Sequence, residues 1–198
     1  MQPETLAGLL SHLGRAGEPD GAHGGLTGAQ LSALRYLARA NPMSRTASAL
    51  AAYQATTRGT VSQTVKALVR AGYVTRTPSD TDRRTVRLDL TDAGWAKLAA
   101  APGDRLVAAL TQLPDHKRAV LADAAMSLNG ALSAQDPDSG FGTCQTCRYL
   151  SDADGAGGGY CCQSGCALGA GDLDCLCVSY QPRPEVQAAQ AAPGGRAS

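Results

Sequence analysis

The sequence predicts a mainly α-helical chain with one small β-hairpin, followed by a small irregular cysteine-rich module. Three observations predict it. Apolar residues recur at helical spacing through most of residues 1–135. Between Tyr73 and Leu90 the period shortens to two, and β-branched residues become frequent. All seven cysteines lie between Cys144 and Cys177.

Leu6, Leu9, Leu10 and Leu13 form the stripe of a short helix over Glu4–Arg15, which the glycine-rich stretch Gly17–Gly25 breaks. Thr27 is a suitable N-cap for a helix over Gly28–Ala40 with Leu31, Leu34 and Leu37 inward. Asn41-Pro42 stops it, because the residue before a proline is pushed out of the helical region. A short helix follows near Arg45–Tyr53. Thr57 then caps a helix that runs to about Arg70 with Val61, Val65, Leu68 and Val69 on one face. Ala71-Gly72 ends it.

Tyr73–Thr77 and Thr85–Leu90 are predicted strands, joined by a polar loop from Pro78 to Arg84. Thr91-Asp92 starts another helix, with Trp95, Leu98 and Ala99 on its apolar side. Pro102-Gly103 interrupts it before Asp104–Leu113 resumes. Asp115–Ser133 is a further helix aligning Leu121, Ala125, Leu128 and Leu132. Asp136–Gly142 reads as a linker. The stretch from residue 182 to Ser198, rich in Pro, Gly, Ala and Gln, reads as a disordered tail.

The net charge of +1 over 198 residues hides two opposite segments. From Thr56 to Asp89 seven bases face three acids; from Asp136 to Ser198 seven acids face three bases. The first segment is suited to a polyanion and the second is not. No apolar run approaches the roughly 18 to 20 residues of a membrane span, and the N-terminus lacks the basic and apolar regions of an export signal. A cytoplasmic protein without a membrane partner is expected. Dense cysteine there points to metal binding or redox chemistry before structural disulfides.

Helix, turn, helix and then a hairpin with a basic loop is the order of a winged helix-turn-helix. Its second helix must bury one face and offer the other to a major groove. The Thr57–Arg70 segment meets this requirement, with Arg58, Thr60, Ser62, Gln63, Lys66 and Arg70 outward. Arg58 suits guanine and Gln63 adenine, while the Thr57 and Thr60 hydroxyls suit phosphate at a helix N-terminus. Arg83 and Arg84 sit at the hairpin tip, where a guanidinium can enter a minor groove.

These residues resemble the MarR-type transcriptional regulators. Leu26-Thr27-x-x-Gln30-Leu31-x-x-Leu34 is similar to that family's opening helix. Leu50-Ala51, then Thr57-Arg58-Gly59-Thr60-Val61-Ser62-x-x-Val65-x-x-Leu68-x-x-Ala71-Gly72-Tyr73-Val74, resembles its two DNA-binding helices. Asp82-Arg83-Arg84 with Leu90-Thr91-x-x-Gly94 resembles its wing signature. The resemblance covers about Gly24 to Leu132. It implies a homodimer with intertwined outer helices that binds a pseudo-palindromic operator in double-stranded DNA, as a repressor, with a small-molecule effector of unidentified chemistry. It further implies that Asp82 orients the wing and that Arg84 enters the groove. Residues 1–135 would form this DNA-binding and dimerisation domain.

Residues 136–181 carry Cys144-x2-Cys147, Cys161-Cys162-x3-Cys166 and Cys175-x-Cys177. Two thiolates two residues apart bind one metal from a tight turn, and a closed structural site needs four ligands. A C-terminal cysteine module that some MarR-like proteins carry resembles this segment through Cys161-Cys162-Gln163-Ser164-Gly165 and a late Cys177. That resemblance favours Cys144, Cys147, Cys161 and Cys177 as the ligand set, with zinc as the metal. Ligand spacing leaves an iron–sulfur cluster open. The surplus Cys162, Cys166 and Cys175 leave a metal-free thiol switch open. His12, His23 and His116 read as surface residues.

No Ser/His/Asp order or paired catalytic carboxylates stand out, and Gly155–Gly159 lacks the Lys-Ser/Thr and following helix of a phosphate loop. That stretch reads as slack between metal ligands. A non-enzymatic regulator is therefore expected. The alternative is a metal-delivery or thiol-redox protein whose helical domain mediates protein interactions.

Overall fold

The computed structural model describes residues 1–17, 24–78, 85–135, 140–152 and 157–183. The expectations for Asp82, Arg83, Arg84, His23 and most of the tail lie outside these residues.

Helix α1 (Pro3–Gly17) is followed by α2 (Gly28–Arg39), α3 (Ala47–Tyr53) and α4 (Arg58–Arg70). Strands β1 (Val74–Pro78) and β2 (Val86–Leu90) pair antiparallel, with Val74 opposite Leu90 and Arg76 opposite Leu88. Helices α5 (Asp92–Ala99), α6 (Arg105–Thr111) and α7 (Asp115–Gln135) come next.

Local chemistry sets most boundaries. Thr27 and Gln30 form a reciprocal capping box on α2, while Thr46, Thr57 and Thr91 cap α3, α4 and α5 through their side chains. Gly72 lies at φ +75 just past the C-cap of α4, in the left-handed conformation that glycine tolerates best. The α3–α4 turn places Ala55 at φ 47, a strained position for a side chain with a Cβ.

One core joins α2, α3, α4 and the hairpin. Leu31, Leu34, Leu37, Leu50, Val61, Val65, Leu68, Val74 and Leu88 are all buried in it. The expected inward stripes of α2 and α4 are present, with Val69 only half-buried. The expectation for α5 holds for Leu98, which packs on the core, and needs correcting for Ala99, which is exposed, and Trp95, which is 49% exposed. The face turned inward is that of Gly94, where a Cβ would overlap the Tyr73 carbonyl oxygen, so α5 approaches β1 too closely for a larger residue.

The cysteine-rich segment is more regular than expected. Strand β3 (Gly142–Thr143) pairs with β7 (Leu176–Cys177), and β4 (Leu150–Asp152), β5 (Gly159–Cys161) and β6 (Cys166–Leu168) form a three-stranded antiparallel sheet. Gly159 is therefore a paired strand residue and not slack. Phe141 is no linker residue either, since it packs against Tyr53 (ring centroids 5.5 Å apart) and Tyr36 (6.4 Å). At the other end Pro182 bridges to Cys147, and the Arg183 amide donates to the Thr146 carbonyl, so packed chain extends two residues into the expected tail.

The backbone geometry gives a paired stability prediction. Gly72→Ala should lower unfolding stability by about 1–2 kcal/mol. Ala55→Gly should be neutral or stabilising by up to about 1 kcal/mol. Denaturant titration of both variants checks this; a clear loss of stability in Ala55→Gly would contradict it.

Candidate nucleic-acid interface and cysteine pocket

Helix α4 divides cleanly. Val61, Val65 and Leu68 are buried, while Arg58, Thr60, Gln63, Lys66 and Arg70 are exposed and Ser62 is half-buried. The helix contains no acidic residue. The Thr57 hydroxyl accepts the Thr60 amide at 3.2 Å and meets the Thr60 hydroxyl at 3.0 Å. Its first role is therefore to hold the N-terminus in shape. The remaining free amides and the helix dipole make that end attractive to phosphate.

The hairpin is braced behind this surface. Arg87 Nε donates to Asp89 at 2.7 Å, and Arg45 Nη1 reaches the same carboxylate at 3.3 Å. Burial pulls the Asp89 carboxyl upward, but these hydrogen bonds and the two guanidinium charges outweigh it and hold it below the ordinary value of 3.8. The Leu88 amide donates to the Arg45 carbonyl at 2.7 Å. The hairpin is thus tied to the chain entering α3. The expected wing residues Asp82, Arg83 and Arg84 lie outside the described residues.

The seven cysteines separate into two groups. Cys144, Cys147, Cys161 and Cys177 are 3–8% exposed, and all four line one narrow pocket of about 30 Å³. These are the four expected ligands. The strands explain the sorting: Cys161 points inward from β5, and Cys162, one residue on, is exposed. Cys166 sits 3.4 Å from Met43 Sδ and Cys175 donates to the Gly171 carbonyl. Cys144 and Cys147 flank a single 3-10 turn closed by the Cys147 amide and the Cys144 carbonyl at 3.0 Å. Among the described residues no three His, Cys, Asp or Glu side chains stand posed around a common point as they would around an ion.

Within the pocket the Cys144 thiol donates to Cys177. This hydrogen bond, with burial, pushes Cys144 up; the same bond pulls Cys177 down against the effect of its own burial, helped by Asn41 and Ser44. Asn41 and Ser44, both 0% exposed, come from a 3-10 turn (Pro42–Ser44 with its Asn41 cap) between α2 and α3. Asn41 Nδ2 points at Cys144 Sγ, 3.7 Å away. In the sequence Asn41-Pro42 reads only as a helix stop. The signal was faint: an asparagine cap before Pro is common, and its sulfur partner lies 103 residues away.

A second cavity of about 110 Å³ lies between α1, α2 and α6, beside Ser32, Arg35, Arg39, Tyr53 and Asp104. Arg39 pairs with Asp104 at 3.0 Å, and Arg35 donates to the Pro102 carbonyl at 2.8 Å. No residue here had been singled out from the sequence.

The segment that carries the capped helices and the first strand has a known relative. Residues 24–85 match the MarR family. Solved structures similar to the chain include a MarR transcriptional regulator from Methanosarcina mazei Go1, at 23% identity over 66% of this chain and 99% of that one, TM-score 0.48. The MepR–DNA complex of S. aureus is 20% identical over 67% of this chain and 99% of that one, TM-score 0.48. CouR bound to a 23-mer DNA duplex is 33% identical over 55% of this chain and 75% of that one, TM-score 0.37. No curated protein matches. Among the described residues no helix is long and apolar enough to cross a membrane. The MarR-matched segment stops before α5, so all seven cysteines lie outside it, although Met43 inside it also lines their pocket.

Asp89 supplies a pH prediction. Its folded pKa is depressed, so its stabilisation is fully present above the unfolded value near 3.8 and is lost as pH falls through the lower folded value. Asp89→Asn should cost a few tenths to about 1 kcal/mol at pH 6. The gap between variant and wild type should narrow as pH falls below 3.8 and through the lower folded value. Thermal melts across this range test it; a gap that persists undiminished at low pH would contradict it.

Proposed function

We propose that this protein is a MarR-type transcriptional regulator, a repressor that binds a pseudo-palindromic operator as a homodimer and carries a four-thiolate metal site. The observation that carries the DNA reading is α4 itself: a capped, acid-free helix, buried on one side, with Arg58, Gln63, Lys66 and Arg70 exposed on the other, within the MarR-matched segment. Arg58 and Gln63 would read base edges, while Lys66 and Arg70 would meet phosphates. Arg83 and Arg84 would extend the contact from the wing, oriented by Asp82.

The dimer reading rests on unpartnered apolar faces. Helix α1 has no buried residue, and Leu6, Leu9, Leu10 and Leu13 are 40–44% exposed along one stripe. Helix α7 also has no buried residue over 21 positions, with Leu121, Leu128 and Leu132 exposed. A second copy of the same helices would cover these exposed leucine stripes. The cavity beside Arg35 and Arg39 is the natural place for an effector, whose chemistry stays open.

For the metal, the four pocket thiols suit a soft ion, and the Asn41 amide supplies the outer hydrogen bond that such sulfurs need. Ligation requires the thiol side chains to rotate inward and the Cys144–Cys177 hydrogen bond to yield.

Gel-shift or anisotropy titration against a duplex selected from a random pool tests the DNA reading. Arg58→Ala should weaken selected-site binding by about 5-fold or more, and Arg84→Ala by several-fold. Lys66→Ala should weaken all duplexes alike and reduce the salt slope by about 1. If wild type selects no duplex, or all three variants bind as wild type, the regulator reading fails. Light scattering should give twice the chain mass; a monomer at working concentration would refute the dimer.

Elemental analysis should find about one zinc per chain, lost in Cys144→Ser and kept in Cys162→Ser. Brown protein containing iron would contradict zinc, and metal-free protein would leave a thiol switch.

A further inference from the structure

The three-stranded sheet of the cysteine module sets two thiols directly across from each other. We propose that Cys161 and Cys166 form a reversible disulfide, a modification site whose co-reactant is a low-molecular-weight disulfide. The inference needs no metal and goes beyond the function proposed above.

Strand β5 carries Cys161 and β6 carries Cys166, and the antiparallel register makes them Cα partners. Directly opposite residues of such a pair have Cα atoms about 4.5–5.5 Å apart. That lies inside the span of about 4.4–6.8 Å that a disulfide bridges. Opposite positions also share one face of the sheet. Here the shared face is the inner one: Cys161 lines the narrow pocket, and Cys166 packs beside it with Met43 and Leu150. The connection between the strands is short and pinned. The Gly165 amide donates to the Cys161 carbonyl at 2.8 Å, and Gly165 takes φ +66, which glycine tolerates in a tight turn. The register of the two thiols is thus fixed locally.

The other thiols are placed differently. Cys162 is exposed and meets Ser151 Oγ at 3.7 Å. Cys175 donates to the Gly171 carbonyl at 3.3 Å. Cys144, Cys147 and Cys177 are only 3–5% exposed, which shields them from a reagent in solution. Cys166 is half-buried, with Ser164 Oγ at 3.2 Å and Met43 Sδ at 3.4 Å from its sulfur. It is the thiol of the pair that a reagent meets, and buried Cys161 stands behind it as the resolving thiol.

The chemistry is thiol–disulfide exchange in two steps. The Cys166 sulfur attacks one sulfur of the small disulfide; a mixed disulfide forms, the reagent's own S–S bond breaks, and one small thiol leaves with the Cys166 proton. The Cys161 sulfur then attacks Cys166, and the second small thiol leaves with the Cys161 proton. Two protein thiols are oxidised and one small disulfide is reduced to two thiols. Opposed Cβ atoms lie about 4.5–5.5 Å apart and a disulfide needs about 3.5–4.5 Å, so closure asks the strands for a shift of about 1 Å. A bridge formed under that strain is readily reduced, which makes the site reversible. Closure also ties Cys161 to β6 and withdraws its sulfur from the pocket it shares with Cys144, Cys147 and Cys177.

The test uses the full-length chain, reduced and treated with a chelator so that no bound metal masks a thiol. The native protein is incubated with oxidised glutathione. Free thiols are blocked with one alkylating label, disulfides are reduced, and the released thiols take a second label that tandem mass spectrometry locates. Wild type should carry the second label on Cys161 and Cys166 together, and dithiothreitol treatment before labelling should remove it from both. Cys162→Ser, which deletes the exposed thiol, should form the same bond within about 2-fold of the wild-type rate. Cys166→Ser should slow oxidation of Cys161 at least about 10-fold. A second label on another pair in wild type, or none on Cys161, would overturn the proposal. So would oxidation of Cys161 at the wild-type rate in Cys166→Ser, or loss of the bond in Cys162→Ser.

Discussion

Two fully buried polar side chains, Asn41 and Ser44, constrain the whole molecule. Each must be satisfied inside, because an unpaired buried polar group costs about 1–3 kcal/mol. Their partners are drawn from both halves of the chain: the turn's own Ser44 amide on one side, Cys144 and Val178 on the other, while the Tyr36 hydroxyl donates to the Ser44 carbonyl. Leu176 adds a bridge to Ala40. The cysteine-rich segment is therefore part of the scaffold of the helical core and not an attachment to it. Phe141 and Leu176 packing onto that core say the same in apolar terms.

The net charge near zero hides a basic face on α4. The basic face of α4 is held by the burial of Val61, Val65 and Leu68, and the hairpin beside it is braced by Arg45 and Arg87 on Asp89. The described part of the cysteine-rich segment packs behind the α2–α3 turn, and strand β2 and the thiol pocket are both bonded to that one short connection.

What was legible in the sequence was what local chemistry decides. Thr27, Thr57 and Thr91 announced helix starts because capping acts within three residues. The hairpin was legible because a change of period survives any tertiary context. The four cysteines that spacing and a family likeness group together line one pocket, and the alternation of β5 gives the physical reason why Cys161 lines it and Cys162 does not. Trp95 was misplaced because an eight-residue helix has too few apolar positions to mark its inner face, and the deciding contact, Gly94 against the Tyr73 backbone, is a backbone approach that no pattern of side chains records. Asn41 was read for its neighbour Pro42, since nothing within a few residues hints at a sulfur far along the chain. The strands of the cysteine module were missed because runs of two or three residues carry no period.

The central claim is that the α2–α3 turn and the cysteine module form one cooperative unit. Native-state hydrogen exchange measures this most directly on the intact chain, because the amides of Asn41 and Val178 are each bonded across the junction. The account predicts that both exchange with the same opening free energy as core amides such as those of Leu34 and Val65. Val178 exchanging in a separate, less protected unit while Asn41 stays protected would contradict it.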